Sequence, residues 1–167
     1  EALSSPRVRR FPLHLLTTQP AHRLHGQLDP VGTSRALKIF GREPLHIHPA
    51  TAAQRGLKEG DIVRVWNDRG ACLAGVLTDP AMRPDVVRMA TGAWYDPADP
   101  EEDKPLCVHG NPNVLTRDIG TSALAQGCGV PELEPEPVPV PEPEPEQQVA
   151  LHPLTVPRHA LVSGSLG

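Results

Sequence analysis

Short strand-like segments separated by turn residues recur through the first ninety residues, and this spacing restricts the chain to a small β structure. The clearest is residues 62–66, IVRVW, where β-branched and aromatic side chains dominate. NDRG at residues 67–70 has the composition of a hairpin loop, and residues 71–78 supply the returning strand. Residues 13–16 and 86–90 are further predicted strands. Strands at this spacing, with few helices, indicate a small β-barrel.

Another predicted strand, residues 45–48, leads into one short helix. Pro49 suits the first turn of a helix, and Gly56 suits the left-handed position that ends it. In the strand, His46 and His48 share one face because side chains alternate. An HxH pair can bind a metal ion, but no third ligand follows at a useful spacing, so we predict no metal site here.

Composition divides the chain into four parts. Residues 1–10 are basic and aperiodic and are predicted to be a flexible lead-in, whereas residues 11–130 hold the barrel. Residues 131–147 combine alternating prolines with six glutamates. Because proline disfavours helix before it and like charges repel, we predict an extended Pro/Glu-rich linker with no core to join. Residues 148–167 are a tail of unknown role.

The composition of the barrel excludes several classes of partner. Aromatic residues make up 3% of the chain, which leaves few platforms for base stacking. The formal net charge of the chain is −4, and the six glutamates of residues 131–147 carry more negative charge than this total. The rest of the chain, including the barrel, is therefore close to neutral. Neither a nucleic acid nor a membrane surface is expected as a partner. No apolar run resembles a transmembrane helix or a signal peptide. These features predict a soluble protein in the cytoplasm, with the periplasm as the alternative.

Two further features concern the context of the chain. Its first residue is Glu rather than Met, which suggests a piece of a longer polypeptide or a processed product. Cys72, Cys107 and Cys128 are odd in number and lack CxxC spacing. They are therefore predicted to be reduced, structural thiols rather than metal ligands.

A polar loop, TTQPAHRLHGQ at residues 17–27, leaves the first predicted strand and is the main candidate site. Its arginine can contact a phosphate through two hydrogen bonds, and its histidines and glutamines can pair with heteroaromatic edges. The alternative is an ordinary polar surface loop. The candidate binding residues here are Thr18, Gln19, His22, Arg23, His25 and Gln27.

A second polar turn, around Asn111 and Asn113, complements the first. The proline between the two asparagines fixes the backbone while both side-chain amides stay available to a heterocycle. We predict that this turn and residues 17–27 converge on one concave face. Trp94 and Tyr95 also follow a predicted strand, where they could simply cap the barrel.

The order of these motifs resembles the C-terminal domain of the molybdopterin oxidoreductases of the dimethyl sulfoxide reductase superfamily. The resemblance spans residues 11–130 and is closest to the biotin sulfoxide and trimethylamine N-oxide reductase branch. The motifs are TQP at 18–20 with RLHGQ at 23–27, GREP at 41–44 with HPA at 48–50, GDIV at 60–63 with NDRG at 67–70, GAWYDP at 92–97, HGNPNVLT at 109–116, GTS at 120–122 and AQGC at 125–128.

The resemblance implies a double-psi β-barrel, mainly β with short helices, that helps to bind molybdenum-carrying bis(molybdopterin guanine dinucleotide) in a parent enzyme reducing S-oxides or N-oxides. The loop residues named above would line one pterin and its phosphates, and Asn111, Asn113 and Gln126 would reach a pterin edge. In the family, the metal ligand and the substrate funnel belong to upstream catalytic domains. Those domains are the implied partners, and neither catalysis nor bound cofactor is expected of this chain alone.

Two other functions remain open from the sequence. The barrel could be a protein-interaction module whose Pro/Glu segment is the recognition element. DIGT at residues 118–121 also has the outline of an aspartic-protease loop. Such a protease needs two carboxylates that share a proton, so with one such loop it would have to dimerise.

Overall fold

Six strands and four short helical segments make up the computed structural model, which describes residues 6–117 and 132–138. The strands are β1 (Leu13–Thr18), β2 (Pro44–Ile47), β3 (Ile62–Trp66), β4 (Ala71–Thr78), β5 (Val86–Ala90) and β6 (Glu132–Pro137). The α-helices are α1 (Pro6–Arg10), α2 (Gly32–Ala36) and α3 (Pro49–Gln54), and Pro112–Leu115 is a 3₁₀ turn. None of the helices in these ranges is long and apolar enough to cross a membrane.

The strands close into a barrel in the order β1-β5-β2-β4-β3-β6. Two neighbouring pairs, β1 with β5 and β2 with β4, run parallel, and the other pairs are antiparallel. The predicted β-barrel with short helices is confirmed, and so is the β3–β4 hairpin. The helix predicted after His48 is α3, and His48 caps its start by accepting a hydrogen bond from the Ala50 amide at 3.1 Å.

The core of the barrel is aliphatic because the inward positions of the strands carry Leu, Ile, Val and Ala. Leu15, Ile47, Val63 and Val87 are fully buried there. Cys72 and Cys107 also lie in this core as free thiols, as predicted, and burial raises the pKa of the Cys72 thiol. Cys128 lies outside the described residues.

The prediction that residues 131–147 form a linker outside the core is wrong for β6. This strand pairs with β1 on one side and β3 on the other, and so closes the barrel. Leu133 is fully buried. Glu134 and Glu136 each lie 2.8 Å from an arginine, Arg55 and Arg64 respectively. These arginines offset the repulsion between glutamates on which the linker prediction rested.

The prolines of β6 are compatible with a strand because of their register on β3. The Val138 amide donates to the Ile62 carbonyl at 3.2 Å, which makes this pair a hydrogen-bonded one. Opposed pairs alternate between bonded and non-bonded in an antiparallel ladder. Pro135 and Pro137, opposite Val65 and Val63, therefore occupy positions at which β3 needs no donor.

Residues 6–10 also differ from the prediction of a flexible lead-in over residues 1–10, because they form α1. Arg7 makes two hydrogen bonds to the Asp68 carboxylate and lies 5.2 Å from the centre of the Phe11 ring. Phe11 in turn packs edge to face on Trp66, with ring centres 5.3 Å apart. Cation–π and aromatic contacts of this kind fix the segment to β3.

We predict that Leu133→Ala lowers the free energy of unfolding by about 2–5 kcal/mol, because it removes a buried side chain from the strand that closes the barrel. Urea denaturation followed by circular dichroism measures the change. Pro137→Ala, at an exposed position of the same strand, is the matched control and should unfold at the wild-type urea concentration. Equal midpoints for the two variants would show that β6 does not close the barrel.

Candidate functional site

The strand order brings the predicted site loop at residues 17–27 beside the loop that follows β5. β1 and β5 are parallel neighbours, so the loops that follow Thr18 and Ala90 leave the barrel at the same edge. The Thr91 amide donates to the Thr18 carbonyl at 2.9 Å across these two exits. At Gly92, φ is +89°, and a Cβ there would lie 1.8 Å from the His25 carbonyl oxygen. Only glycine allows this contact.

A groove of about 590 Å³ opens where these loops meet the asparagine turn, and we call it the amide groove. Some of the residues that were predicted to converge meet in this groove, namely His25 from the first loop and Asn111 and Asn113 from the second. The residues that line the amide groove are His25, Gly26, Thr91, Gly92, Ala93, Trp94, Tyr95, Asn111 and Asn113.

Trp94 and Tyr95 flank the amide groove instead of capping the barrel. Their exposed fractions are 56% and 50%, so each ring keeps much of its surface open. The Trp94 indole N–H donates to the Gly26 carbonyl at 2.7 Å, and this bond fixes the ring beside the first loop. The fixed Trp94 ring and the exposed Tyr95 ring give the groove walls against which a planar ligand can pack.

The asparagine turn is held by its own side chain. The Oδ1 of Asn111 accepts a hydrogen bond from the backbone N–H of Asn113 at 2.9 Å, and this bond caps the 3₁₀ turn. The NH₂ group of Asn111 keeps its donor capacity, and the exposed Asn113 side chain lies at the groove. The turn therefore presents amide hydrogen-bonding groups on a rigid backbone.

A buried charge network lies beneath the loops; it consists of Arg23, Lys38, Asp29 and Glu43. Lys38 Nζ is 2.9 Å from Asp29 and 3.0 Å from Glu43, and Arg23 is 2.9 Å from Glu43 and 3.2 Å from Asp29. Each of the four side chains is at most 2% exposed. Two cations and two anions balance, which is what allows charges to be buried at this depth.

Asp29 also connects the charge network to the groove. It accepts hydrogen bonds from the Trp94 amide at 3.2 Å and from His109 Nε2 at 2.9 Å. Burial by itself raises the pKa of the Asp29 carboxyl, but the hydrogen bonds from Lys38, Trp94 and His109 together outweigh burial and lower it. Asp29 is therefore an anion at neutral pH.

The prediction that Arg23 contacts a ligand phosphate is not supported by its position. Its side chain is 0% exposed, and besides the two carboxylates it donates to the Thr91 carbonyl at 2.7 Å. A guanidinium whose donors are occupied by buried partners cannot reach a phosphate without breaking the charge network. Arg23 stabilises the loops on which the groove depends.

Three other predicted residues, Thr18, Gln19 and His22, line a second cavity of about 340 Å³. The Gln19 side chain makes hydrogen bonds within its own loop. Its NH₂ group donates to the Arg23 backbone carbonyl, and its Oε1 accepts from the His25 backbone amide. Arg88 on the far wall contacts His46 at 2.9 Å. Burial first, and then the Arg88 charge, lowers the pKa of His46, so its imidazole is neutral at neutral pH.

Gln27 is exposed and lines neither of these two cavities, and Gln126 lies outside the described residues. The DIGT segment also lies outside them. Within residues 6–117 and 132–138 no group of His, Cys, Asp and Glu could hold a metal ion.

Sequence reasoning missed the acidic half of the charge network and the role of the aromatics. Asp29 and Glu43 lie in turn-like stretches, and nothing local indicates that they meet Arg23. The available signal for Trp94 and Tyr95 was their position after a strand beside a glycine, which fits a groove wall as well as a cap.

We predict that Arg23→Met lowers the free energy of unfolding by about 3–5 kcal/mol, because it leaves buried carboxylates without their partner. Urea denaturation at pH 7 measures the loss. Arg83→Met is the control, since Arg83 pairs with Asp85 on the surface and should leave the midpoint unchanged. A wild-type midpoint for Arg23→Met would contradict a structural role for Arg23.

The lowered pKa of Asp29 predicts a loss of stability in acid. A carboxyl whose pKa is lower in the folded than in the unfolded chain stabilises fully above the unfolded pKa of about 3.9, and the contribution disappears as pH falls through the folded pKa. We expect Asp29→Asn to be less stable than wild type at pH 7 and to lose less stability between about pH 5 and about pH 2. Thermal unfolding across this range, with Asp103→Asn on an exposed loop as the control, tests it; parallel profiles for Asp29→Asn and wild type would contradict it.

Comparison with known proteins places this arrangement among cofactor-binding domains. Two similar relatives are the dimethyl sulfoxide/trimethylamine N-oxide reductase of Cereibacter sphaeroides, 45% identical over 72% of this chain, and trimethylamine-N-oxide reductase 1 of Escherichia coli strain K12, 48% identical over 72%. The chain spans only 15% and 14% of the length of these relatives.

The solved structure of acetylene hydratase from Pelobacter acetylenicus shares the fold, with a TM-score of 0.65 at 16% identity, over 83% of this chain and 20% of that one. The family model described as the molydopterin dinucleotide binding domain matches residues 13–132. This match includes β1 to β5, both polar turns and the charge network. The chain therefore belongs to the molydopterin dinucleotide binding domain family.

Proposed function

We propose that this chain is the cofactor-binding domain of a molybdenum oxidoreductase that reduces S-oxides or N-oxides, and that the amide groove takes one planar end of a molybdopterin guanine dinucleotide. The observation that carries the proposal is that His25, Asn111 and Asn113 line one groove together with two exposed aromatic rings. The names of the relatives, which are S-oxide and N-oxide reductases, support the substrate class.

The residues of the groove fit a pterin or a guanine. Both are planar heterocycles whose edges carry several donors and acceptors, and amide and imidazole side chains match such edges. The groove volume of about 590 Å³ lies within the range of small-molecule sites. Trp94 and Tyr95 would contact the face of the ring while the asparagines contact its edge.

A cation suited to the diphosphate lies beside the groove. A cavity of about 380 Å³ shares Trp94 and Tyr95 with the amide groove, and Arg35 lines it together with His109, Asp96 and the Asp29 carboxylate that is already paired in the charge network. Arg35 is exposed at the end of α2, unlike the buried Arg23. We assign the phosphate contact to Arg35, because a guanidinium binds phosphate through paired charge-assisted hydrogen bonds.

Thr18 and His22, in the cavity that contains Arg88, are proposed as further contacts.

The rest of the parent enzyme would supply the metal ligand and the substrate site. Its upstream catalytic domains are the proposed partners, in keeping with a chain that spans about 15% of the length of its relatives. When bound, the cofactor supplies the metal at which the oxide is reduced. The part of the reaction carried out by this chain is to hold and orient the cofactor through its groove.

We predict that guanosine diphosphate binds the chain and shifts amide resonances around the amide groove. Asn113→Ala should weaken binding about 2- to 12-fold through loss of a neutral hydrogen bond, and Arg35→Ala about 10- to 150-fold through loss of a phosphate contact. Titration by NMR measures both dissociation constants, and Gln54→Ala on the exposed end of α3 is the control. Shifts that cluster on His46 and Arg88 instead would move the site to the second cavity.

A further inference from the structure

Large apolar side chains are exposed along one segment, residues 24–40, which we call the apolar segment. Leu24, Leu28, Val31, Leu37 and Phe40 are all exposed there, and Phe40 is 72% exposed. Single exposed apolar residues are ordinary, but five of the eight large apolar side chains that are exposed in the described residues fall in this one segment.

The backbone of the same segment is strained. Within the described residues, the non-glycine residues with positive φ are His25, Leu28 and Phe40, at +50°, +67° and +47°. Leu and Phe have no side-chain hydrogen bond that favours this region, so the conformation is unfavourable for them. Both side chains are exposed, Leu28 at 55% and Phe40 at 72%, so burial of the side chain does not offset the cost.

The turn that carries Phe40 shows the conflict most clearly. The amide and carbonyl groups of Ile39 and Arg42 bond to each other at 3.0 and 2.9 Å, and the two residues between them, Phe40 and Gly41, both have positive φ. This is a type I′ turn, whose first central position favours Asn, Asp or Gly. A phenylalanine at that position destabilises the turn and places an aromatic ring in solvent.

The base of the apolar segment is rigid. Asp29 and Lys38 belong to the segment, and Arg23 and Glu43 adjoin its ends, so the charge network holds it in place. Ile39 packs against β4, where a Cβ on Gly75 would lie 2.3 Å from the Ile39 Cβ. A rigid apolar surface loses little conformational entropy on binding and is therefore suited to a permanent contact.

We propose that the apolar segment is the surface on which the upstream domains of the same parent polypeptide dock, with Phe40 and Leu28 inserted into apolar pockets of those domains. This inference rests on the proposed function. We choose the upstream domains as the partner because the relatives are about seven times longer than the region that matches this chain. The apolar segment is also continuous with the amide groove, since Trp94 of the groove bonds to Gly26 of the segment. A domain docked there also covers the groove and shields the cofactor from water.

Two substitutions separate docking from folding. Phe40→Asn places a favoured residue in the type I′ turn, so it should raise the melting temperature of the free chain by about 2–4 °C. In the full-length parent enzyme the same change removes a buried anchor and should lower the melting temperature of the domain. Ala81→Asn, in the exposed loop at the other end of β5, is the control and should change neither temperature.

Hydroxyl-radical footprinting gives the direct readout. Oxidation of Phe40 should be severalfold slower in the full-length enzyme than in the free chain, because the core of an interface is shielded from solvent, whereas Met82 should react equally in both. Equal oxidation of Phe40 in both, or a gene product no longer than this chain, overturns the proposal. A free chain that sediments as a dimer and becomes a monomer on Phe40→Asn also overturns it, by assigning the surface to a second copy.

Binding of guanosine diphosphate to the free chain keeps the two proposals distinct. Phe40→Asn should leave its dissociation constant unchanged, because Phe40 does not line the amide groove. Protection of Phe40 in an enzyme whose free domain does not bind the nucleotide would support docking and contradict the proposed groove. Nucleotide binding by the free domain, without protection of Phe40 in the full-length enzyme, would support the proposed groove and contradict docking.

Discussion

The buried charge network determines how the loops of this domain are arranged. Arg23 follows β1, Glu43 precedes β2, and Asp29 and Lys38 lie between them, while Arg23 also bonds to the Thr91 carbonyl after β5. Four charges out of water are costly, and only their mutual contacts make the arrangement tolerable. Because no member can move without leaving another unpaired, long loops with little regular structure acquire one conformation.

The fold could largely be predicted because its signals are local. The β3–β4 hairpin and α3 follow from turn composition, a β-branched run and helix-end residues, all within a few positions of one another. β6 could not be predicted in this way. Its glutamates meet Arg55 and Arg64, 79 and 72 residues earlier, and a local count of charges contains no information about these partners.

The site was predictable in its location and less so in its roles. Loops that follow neighbouring parallel strands leave the barrel at the same edge, so the meeting of His25 with Thr91 and Gly92 follows from topology, whereas the asparagine turn reaches the groove from a later part of the chain. The role of Arg23 depends on depth, because a guanidinium on the surface binds ligands and a buried one binds carboxylates. Residue type does not distinguish these cases. In this chain, a charged residue of the candidate binding loop is thus bonded to buried carboxylates of the network.

The prolines of β6 have a consequence for assembly. A displacement of this strand by one residue along β3 would place Pro135 and Pro137 opposite carbonyls that need a donor, and two ladder bonds would be lost. The absence of these two amide donors thus permits one register of β6 on β3. It also makes β6 a poor template for the addition of a strand from a neighbouring chain. A sequence that looks unsuited to a sheet therefore specifies how this sheet is completed and limits what else can add to it.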